Sequence, residues 1–473
     1  MDVKVKVGLF GIGLDTYWSQ FDGLLDNLVG YQEQINGRIA GFGVDVADAG
    51  MVDNPMKARE AADYLKAQDV EIVFLYVSTY ALSSTVLPVA QKVKVPVVIL
   101  NLQPVPQLDY EAFNSLGDRG KMTGLWLEHC QACSVPEIAS VFNRSGIKFD
   151  FVTGYLQQDE AWEEIKAWTE AASVAAAMRN NRMGILGHYY NGMLDVYSDI
   201  TRQSAAFGTH IELLEMCELK KYRDEATEAD VQKKVKEFSS AFDVSEECDL
   251  AEIDRAARTS VALDRLVKKH NLGSMAYYYE GKSGNEYENI VTSVIAGNTL
   301  LTGKDIPVAG ECEVKNAQAM KIMSEFGAGG SFSEFYLMDF KDDVVYLGHD
   351  GPAHYAIAEE QVRLVPLPVY HGKPGKGLSI QMNVKNGPVT LLSVVEGKED
   401  LFLLVAEGEA VQGPILQIGN TNSRYRFSIG AKRFMDDWSR QGPAHHCAIG
   451  VGHLANKIEK FGKILNMEVV RIC

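Results

Sequence analysis

The sequence predicts an α/β protein: two open parallel-sheet α/β domains followed by a β-rich C-terminal domain of antiparallel, barrel-like character. Near-continuous Val/Ile/Leu runs alternate with helix-period segments over residues 1–175, as expected of parallel strands covered on both faces. The alternation resumes at RMGILGHYYN and continues to about residue 330. From 331 onward, short alternating strands are punctuated by Gly, Pro and Asn, the texture of antiparallel β.

In the first domain (1–175) the expected strands are VKVGLFGI, IAGFGVDV, VEIVFLYV and VPVVILNL, with helices through DGLLDNLVGYQEQI and KAREAADYLKAQ. Gly8, Gly11 and Gly13 of GLFGIG are spaced G-x-x-G-x-G, not G-x-G-x-x-G, and so predict a tight strand exit in place of a dinucleotide loop. DEAWEEIKAWTEAASVAAAMRNN, Ala-rich with acidic residues near its start, is expected to be a long bridging helix. The second domain (176–330) holds helices VQKKVKEFSSAF and EIDRAARTSVALDRLVKKH, the strand SMAYYYEG, and VAGECEVK leading into helical NAQAMKIM. The third (331–473) holds DDVVYLGHDG, LSIQMNVKNGPVTLLSVV and DLFLLVAEGEAV, with Asn-Gly and similar turns, then the helix HLANKIEKFGKIL and the strand MEVVRIC.

A chain of 473 residues exceeds a single core, in keeping with several domains. A formal charge of −17 without a Lys/Arg run argues against nucleic acid as a partner. No apolar run approaches the roughly 18 residues of a membrane span. The N-terminus enters a strand pattern directly, without a leader pattern, so the expected location is the cytoplasm. Seven cysteines, an odd number, fit reduced thiols, and Cys130 and Cys133 of EHCQAC read as plain buried or surface thiols.

VAGECEVK places Glu311 and Glu313 inside an apolar segment. Burying a charge there costs several kcal/mol or more unless something pairs with it. Glu334 in SFSEFYLMDF, His349 in YLGHDGP and one of His445-His446 in QGPAHHCAIG are further potential metal ligands, though none forms a local motif. Each also has an ordinary reading. Glu311 or Glu313 suits the first turn of a helix, and His349 suits a turn satisfied by backbone. Neighbours such as His445 and His446 point in different directions, so one of them is the ligand.

VFLYVSTYALSSTVLPVAQKVKVPVVILNLQPVPQLD, SLGDRGKMTG, RMGILGHYYNGMLDVYSD, IPVAGECEVKNAQAM, HGKPGKGLSIQMNVKNGP and QGPAHHCAIGVGHLANKIEKF occur in the order and spacing of the L-arabinose isomerases, and the chain resembles that family from end to end. The resemblance implies the L-fucose isomerase-like architecture, a homo-oligomer (trimer or hexamer), an aldose substrate, and a Mn²⁺-assisted isomerase site, with Co²⁺ or another divalent cation as alternatives. The family's Gly-Glu-Gly-Asp-Trp-Lys segment matches Gly310-Glu311-Cys312-Glu313-Val314-Lys315, and its Glu-Asp-Tyr matches Glu334-Phe335-Tyr336. Glu311 and Glu334 are thereby implied as both catalytic and metal-binding. His349 and His446, the latter matching the second histidine of Thr-His-His-Thr, are implied as the remaining metal ligands.

Departures from the family pattern fall around the sugar. The family's His-Gly-Asp-Arg, whose histidine assists ring opening from a neighbouring subunit, is here Leu116-Gly117-Asp118-Arg119, so that role is missing or moved to His129 or His188. The first loop, GIGLDTYWSQ, lacks the Gln-His-Leu-Tyr character and leaves Tyr17 and Trp18 to face the sugar. Tyr17, Trp18, Asp118, Arg119, His188 and His445 are accordingly the candidate substrate-binding residues. Such changes alter discrimination among sugars, with L-arabinose to L-ribulose and D-galactose to D-tagatose as the leading reactions. Aldose–ketose conversion needs an acid, a base and stabilisation of a cis-enediol, which two glutamates and a cation held by oxygen and imidazole supply. A hydride shift would use the same cation. A non-catalytic sugar-binding protein, a related metal-dependent epimerase or aldolase, and a homologue retaining only the fold are the competing readings.

Overall fold

Five apolar runs of the N-terminal part pair side by side in the computed structural model, which describes residues 4–281, 284–368 and 375–473. The start of MDVKVKVGLF and the first four residues of HGKPGKGLSIQMNVKNGP lie outside the described residues. Strands β1 (Lys6–Ile12), β2 (Asp45–Val52), β3 (Val73–Val77), β4 (Val97–Gln103) and β5 (Phe149–Tyr155) form one sheet in the order β2-β1-β3-β4-β5. All its pairings are parallel. Residues of β3 are buried at every position, which is why its sequence is unbroken apolar rather than alternating. A Cβ on Gly11 would lie 2.2 Å from Gln32 Oε1, and one on Gly13 2.8 Å from the Trp18 ring. These glycines serve close packing at the strand exit. The compact unit containing this sheet ends at Ala176.

A second compact unit comprises Ala177–Cys473. It begins with β6 (Arg182–Gly187), β7 (His210–Leu214), β8 (Asp243–Val244), β9 (Ser274–Tyr278) and β10 (Val308–Ala309). Four of these make a parallel sheet in the order β10-β9-β6-β7. The C-terminal strands are β11 (Gly329–Asp339), β12 (Val344–His349), β13 (Arg363–Leu367), β14 (Gly377–Gln381), β15 (Gly387–Glu396), β16 (Leu401–Ala410), β17 (Thr421–Arg426), β18 (His446–Val451) and β19 (Glu468–Arg471). Six of them close an antiparallel barrel in the order β15-β18-β11-β12-β17-β16, with β16 returning to β15 and β19 added in parallel to β16. Closure leaves the six ring strands without a free edge.

Asn386-Gly387 does not close a hairpin. It passes from β14, in a small sheet with β13 and β8, to β15 in the barrel. The barrel's β15–β16 hairpin turns instead at Gly397, whose N–H donates to Asp400 O at 3.0 Å. Turn chemistry alone marks where a strand ends, and the neighbouring sheets decide which strand pairs next.

Helix Val314–Glu325 is buried at every position but the last and packs against β9, β10, β11, β15 and β18. Three of its polar side chains find partners inside the unit: Lys321 Nζ donates to Asp305 O (3.1 Å), Ser324 Oγ to Asp305 Oδ1 (2.9 Å), and Gln318 Oε1 accepts from Thr209 (3.3 Å), while both side-chain polar atoms of Asn316 are buried without a hydrogen-bond partner among the described residues. A helix buried all round joins parallel sheet to barrel within this unit. Among the described residues no helix is long and apolar enough to cross a membrane.

On the barrel, helix Ala431–Arg440 buries Ala431, Phe434 and Trp438, one face at helical spacing. Phe434 stacks on Phe427 with ring centroids 3.6 Å apart and meets Phe335 of β11 at 5.9 Å. Phe434→Ala is expected to cost about 3–5 kcal/mol of unfolding free energy. A lowered urea midpoint at constant slope checks it, and an unchanged midpoint would show that this face does not anchor the barrel.

Candidate metal centre and active site

The barrel register brings three of the four expected ligands to one place. β11 lies between β18 and β12, with Glu334 directly opposite His446 on one side and Gly348 on the other; His349 follows Gly348 at the end of β12. Period-two alternation puts Phe332 and Glu334 on the same face of β11. The buried Phe332 ring is the platform for both imidazoles, 4.3 Å from His446 and 4.5 Å from His349 between ring centroids.

Glu311 arrives from the parallel sheet. It follows β10 in the short turn Gly310–Cys312, where Glu311 and Cys312 take φ of +54° and +58°. Two successive non-glycine residues in the left-handed region cost of order 1–3 kcal/mol each and persist only where surrounding packing holds them. Gly310 must lack a side chain, since a Cβ there would lie 2.9 Å from Phe332. The Phe332 ring can therefore come up against the turn that presents Glu311.

Glu311, His349 and His446 offer ligand atoms all within 4.8 Å of one another, and so do Glu334, His445 and His446. Glu311 Oε2 lies 3.5 Å from His446 Nε2 and 3.3 Å from His445 Nε2; Glu311 Oε1 is 4.0 Å from His349 Nε2; Glu334 Oε2 is 3.9 Å from His445 Nε2. His446, 1 % exposed, hydrogen bonds through Nδ1 to Glu313 Oε2 at 2.5 Å. With Nδ1 donating, the ring's lone pair sits on Nε2, which is buried and has no hydrogen-bond partner among the described residues. An orphaned buried imidazole nitrogen beside a carboxylate fits a divalent cation held by oxygen and imidazole donors.

Electrostatics divide the cluster in two. Burial pushes Glu313 up to about 8 and His446 down to about 3, so it opposes charge on both. His445 is raised to about 9 by its contact with Glu311, against burial and with help from Asp195. Burial would raise Glu311, but His445 and the neighbouring His446 and His349 outweigh it and hold Glu311 below the ordinary carboxylate range. Glu313 was legible in sequence as a buried carboxylate, though not as the group that orients His446. Asp195 had no signal at all: its Oδ2 holds His445 Nδ1 at 2.6 Å and His445 N–H at 3.0 Å across 250 residues of chain. Lys315 Nζ donates to the Asp195 carbonyl, tying that turn to the segment carrying Glu313.

A cavity of about 300 Å³ opens on this cluster, lined by Glu311, Glu334, His349 and Asp350 together with Tyr190, Tyr278, Val291, Val294, Ile295 and Asn298. Asn298 is 2 % exposed, and its Oδ1 has no partner among the described residues.

Of the expected substrate-binding residues, His445 joins the cluster. His188 is not among the cavity's lining residues; its ring packs against Tyr278 and Tyr279. Tyr17, Trp18, Asp118 and Arg119 belong to the first unit. There Trp18 Nε1 donates to Asp53 Oδ2 at 2.8 Å, Tyr17 packs on Phe21, and Asp118 caps the helix Arg119–Glu128 by accepting from Lys121 N–H. His129 ends that helix with Nδ1 on Leu125 O.

Residues 329–468, which span all barrel strands, match the family model of the L-arabinose isomerase C-terminal domain. The chain is 22 % identical over 349 residues to an L-arabinose isomerase of Herpetosiphon aurantiacus, covering 71 % of this chain and 69 % of the relative. It is 21 % identical over 347 residues to a sulfoquinovose isomerase of Alkalicoccus urumqiensis (68 % and 72 %) and 21 % identical over 353 residues to an L-arabinose isomerase of Bacillus subtilis (71 % and 69 %). With the closed barrel and the parallel sheets in place, these likenesses identify the chain as a divergent relative of the L-arabinose isomerases and an enzyme of the isomerase class.

Proposed function

We propose that the protein is a divalent-metal-dependent aldose–ketose isomerase acting on an uncharged pentose or hexose, of the L-arabinose or D-galactose type. The observation that carries this reading is the meeting of Glu311 and Glu334 with His349, His445 and His446 in one cluster, of which Glu311, Glu334 and His349 line a cavity.

Glu311, Glu334, His349 and His446 would hold the cation, and a cation so held supplies Lewis-acid polarisation of the carbonyl. The remaining work falls to the chain's own groups. One glutamate takes the C2 proton of the open aldose and returns it to C1, while the other moves a proton between O1 and O2, passing through a cis-enediol. Each such transfer contributes about 10²–10⁴-fold. His445, held cationic by Glu311 and Asp195, places a positive charge beside both carboxylates and stabilises their ionised forms.

Specificity follows from the remaining lining residues of the cavity. Aromatic and aliphatic walls cover the carbon faces of a sugar, and Asn298 Oδ1 accepts from one of its hydroxyls. Neither Lys nor Arg is among the described lining residues. That composition favours an uncharged aldose over an anionic one such as a sulfonated sugar, which needs a cationic partner when desolvated.

Glu311→Gln and Glu334→Gln are each expected to lower kcat for ketose formation by at least about 10²-fold, and chelation followed by Mn²⁺ addition should abolish and then restore turnover. Ketose formation that survives chelation, or near-normal kcat in both variants, would overturn the reading. Glu313→Gln touches no expected substrate atom yet is expected to weaken Mn²⁺ binding about 10–100-fold through His446. Calorimetric titration with the metal alone reads it, and an unchanged affinity would remove Glu313 from that role.

A further inference from the structure

Cys130 and Cys133 lie in the first unit, outside the chemistry described above. Spacing alone left them as plain thiols, but three structural observations set them apart. Cys130 is the N-cap of helix Gln131–Ser145 and Cys133 its third residue, so one helical turn brings the side chains together, with Sγ 3.0 Å from Sγ. The two differ in access: Cys130 is buried and Cys133 exposed.

The third observation is where the pair sits. In the order β2-β1-β3-β4-β5 the connections reverse direction between β1 and β3, and open α/β sheets bind and react with ligands in the crevice at the carboxyl ends of such a pair. The segment that leaves β3 is bonded to the residues flanking the cysteines. Gln131 Nε2 donates to Ser78 O (2.9 Å), Ala81 N–H to Ser134 Oγ (2.8 Å), and Thr79 Oγ1 to Leu127 O (2.7 Å). Tyr17 from the β1 exit and Tyr80 from the β3 exit pack on the cluster containing Leu127. The dithiol is thus fixed at the switch point of the sheet.

We propose that Cys130 and Cys133 are a redox-active dithiol, converted reversibly to an intramolecular disulfide by a small-molecule disulfide. The exposed Cys133, as thiolate, attacks one sulfur of the small molecule, breaking its S–S bond, forming a mixed disulfide and releasing one thiol. Cys130 then gives up its proton and attacks Cys133 Sγ, releasing the second thiol. Two electrons pass from the cysteines to the small-molecule disulfide, and two small thiols are formed for each protein disulfide. Burial pushes the Cys130 thiol up, so Cys130 is the resolving partner and Cys133 the point of entry. The Cα separation of one helical turn suits disulfide geometry. A metal site is disfavoured because, among the described residues, neither cysteine belongs to a group of three ligand-bearing side chains close enough to share an ion. This inference is independent of the isomerase reading.

The test uses the full, reduced chain equilibrated in buffers of reduced and oxidised glutathione over a range of ratios, quenched with acid, alkylated and digested. The peptide carrying both cysteines should pass from doubly alkylated to unalkylated and two hydrogens lighter, following the square of thiol over disulfide concentration, and should return with excess thiol. Cys130→Ser should stop at a glutathione adduct on Cys133, the fate also expected of the exposed Cys217. Double alkylation at every ratio, or a Cys133 adduct without the internal disulfide in the unsubstituted chain, would overturn the proposal.

Discussion

A carboxyl group and an imidazole, each about 1 % exposed, meet at 2.5 Å between Glu313 and His446. This contact joins the segment after β10 to the first residue of β18, and the geometry of the site follows from it. It sets the plane of the His446 ring, aims Nε2 at Glu311, and lets Phe332 lie against the ring's face. Burying such groups costs several kcal/mol unless their hydrogen bonds are well made. The strained turn at Glu311 and Cys312 is held by the same packing. Stability and site geometry are therefore one constraint here: if the barrel moved away from the parallel sheet within this unit, the hydrogen bond of His446 to Glu313 and its contact with Glu311 would be lost together.

Two kinds of carboxylate result from that arrangement. Glu313 is enclosed, its charge opposed by burial, and it contacts the His446 ring. Glu311, beside cationic His445, is ionised and faces the cavity. The two differ by two positions in the sequence, and the tight turn at Gly310–Cys312 with its left-handed residues sends their side chains to different partners. Residue type alone would have assigned them the same role.

Much of the fold was legible because hydrophobic periodicity is local. Unbroken apolar runs such as VFLYV became fully buried parallel strands, and the alternating texture after residue 331 became the barrel. Helix Val314–Glu325 was legible as a helix but not as a buried one, since Lys315, Asn316, Gln318, Lys321 and Ser324 read as a solvated face. The partners of Lys315, Gln318, Lys321 and Ser324, which are Asp195, Thr209 and Asp305, come from distant segments that no periodicity connects. The same holds for β8, a two-residue strand that exists only because β13 pairs with it, and for Asn386-Gly387, where a good turn dipeptide links strands of different sheets. Cys130 and Cys133 read as plain thiols in sequence, and their contact, their unequal access and their place beside β3 required the packed sheet.

Read as a linear chain, this protein declares its strands and helices, its three textures, and the residue types able to hold a cation, because backbone periodicity and side-chain chemistry are properties of neighbours. Folding adds the selection among equals: His445 against His446, Glu311 against Glu313, Asp195 out of many aspartates. Those choices rest on desolvation and on hydrogen bonds a few ångströms long between residues as many as 250 positions apart, quantities that have no value until the barrel has closed and the buried helix has packed against it.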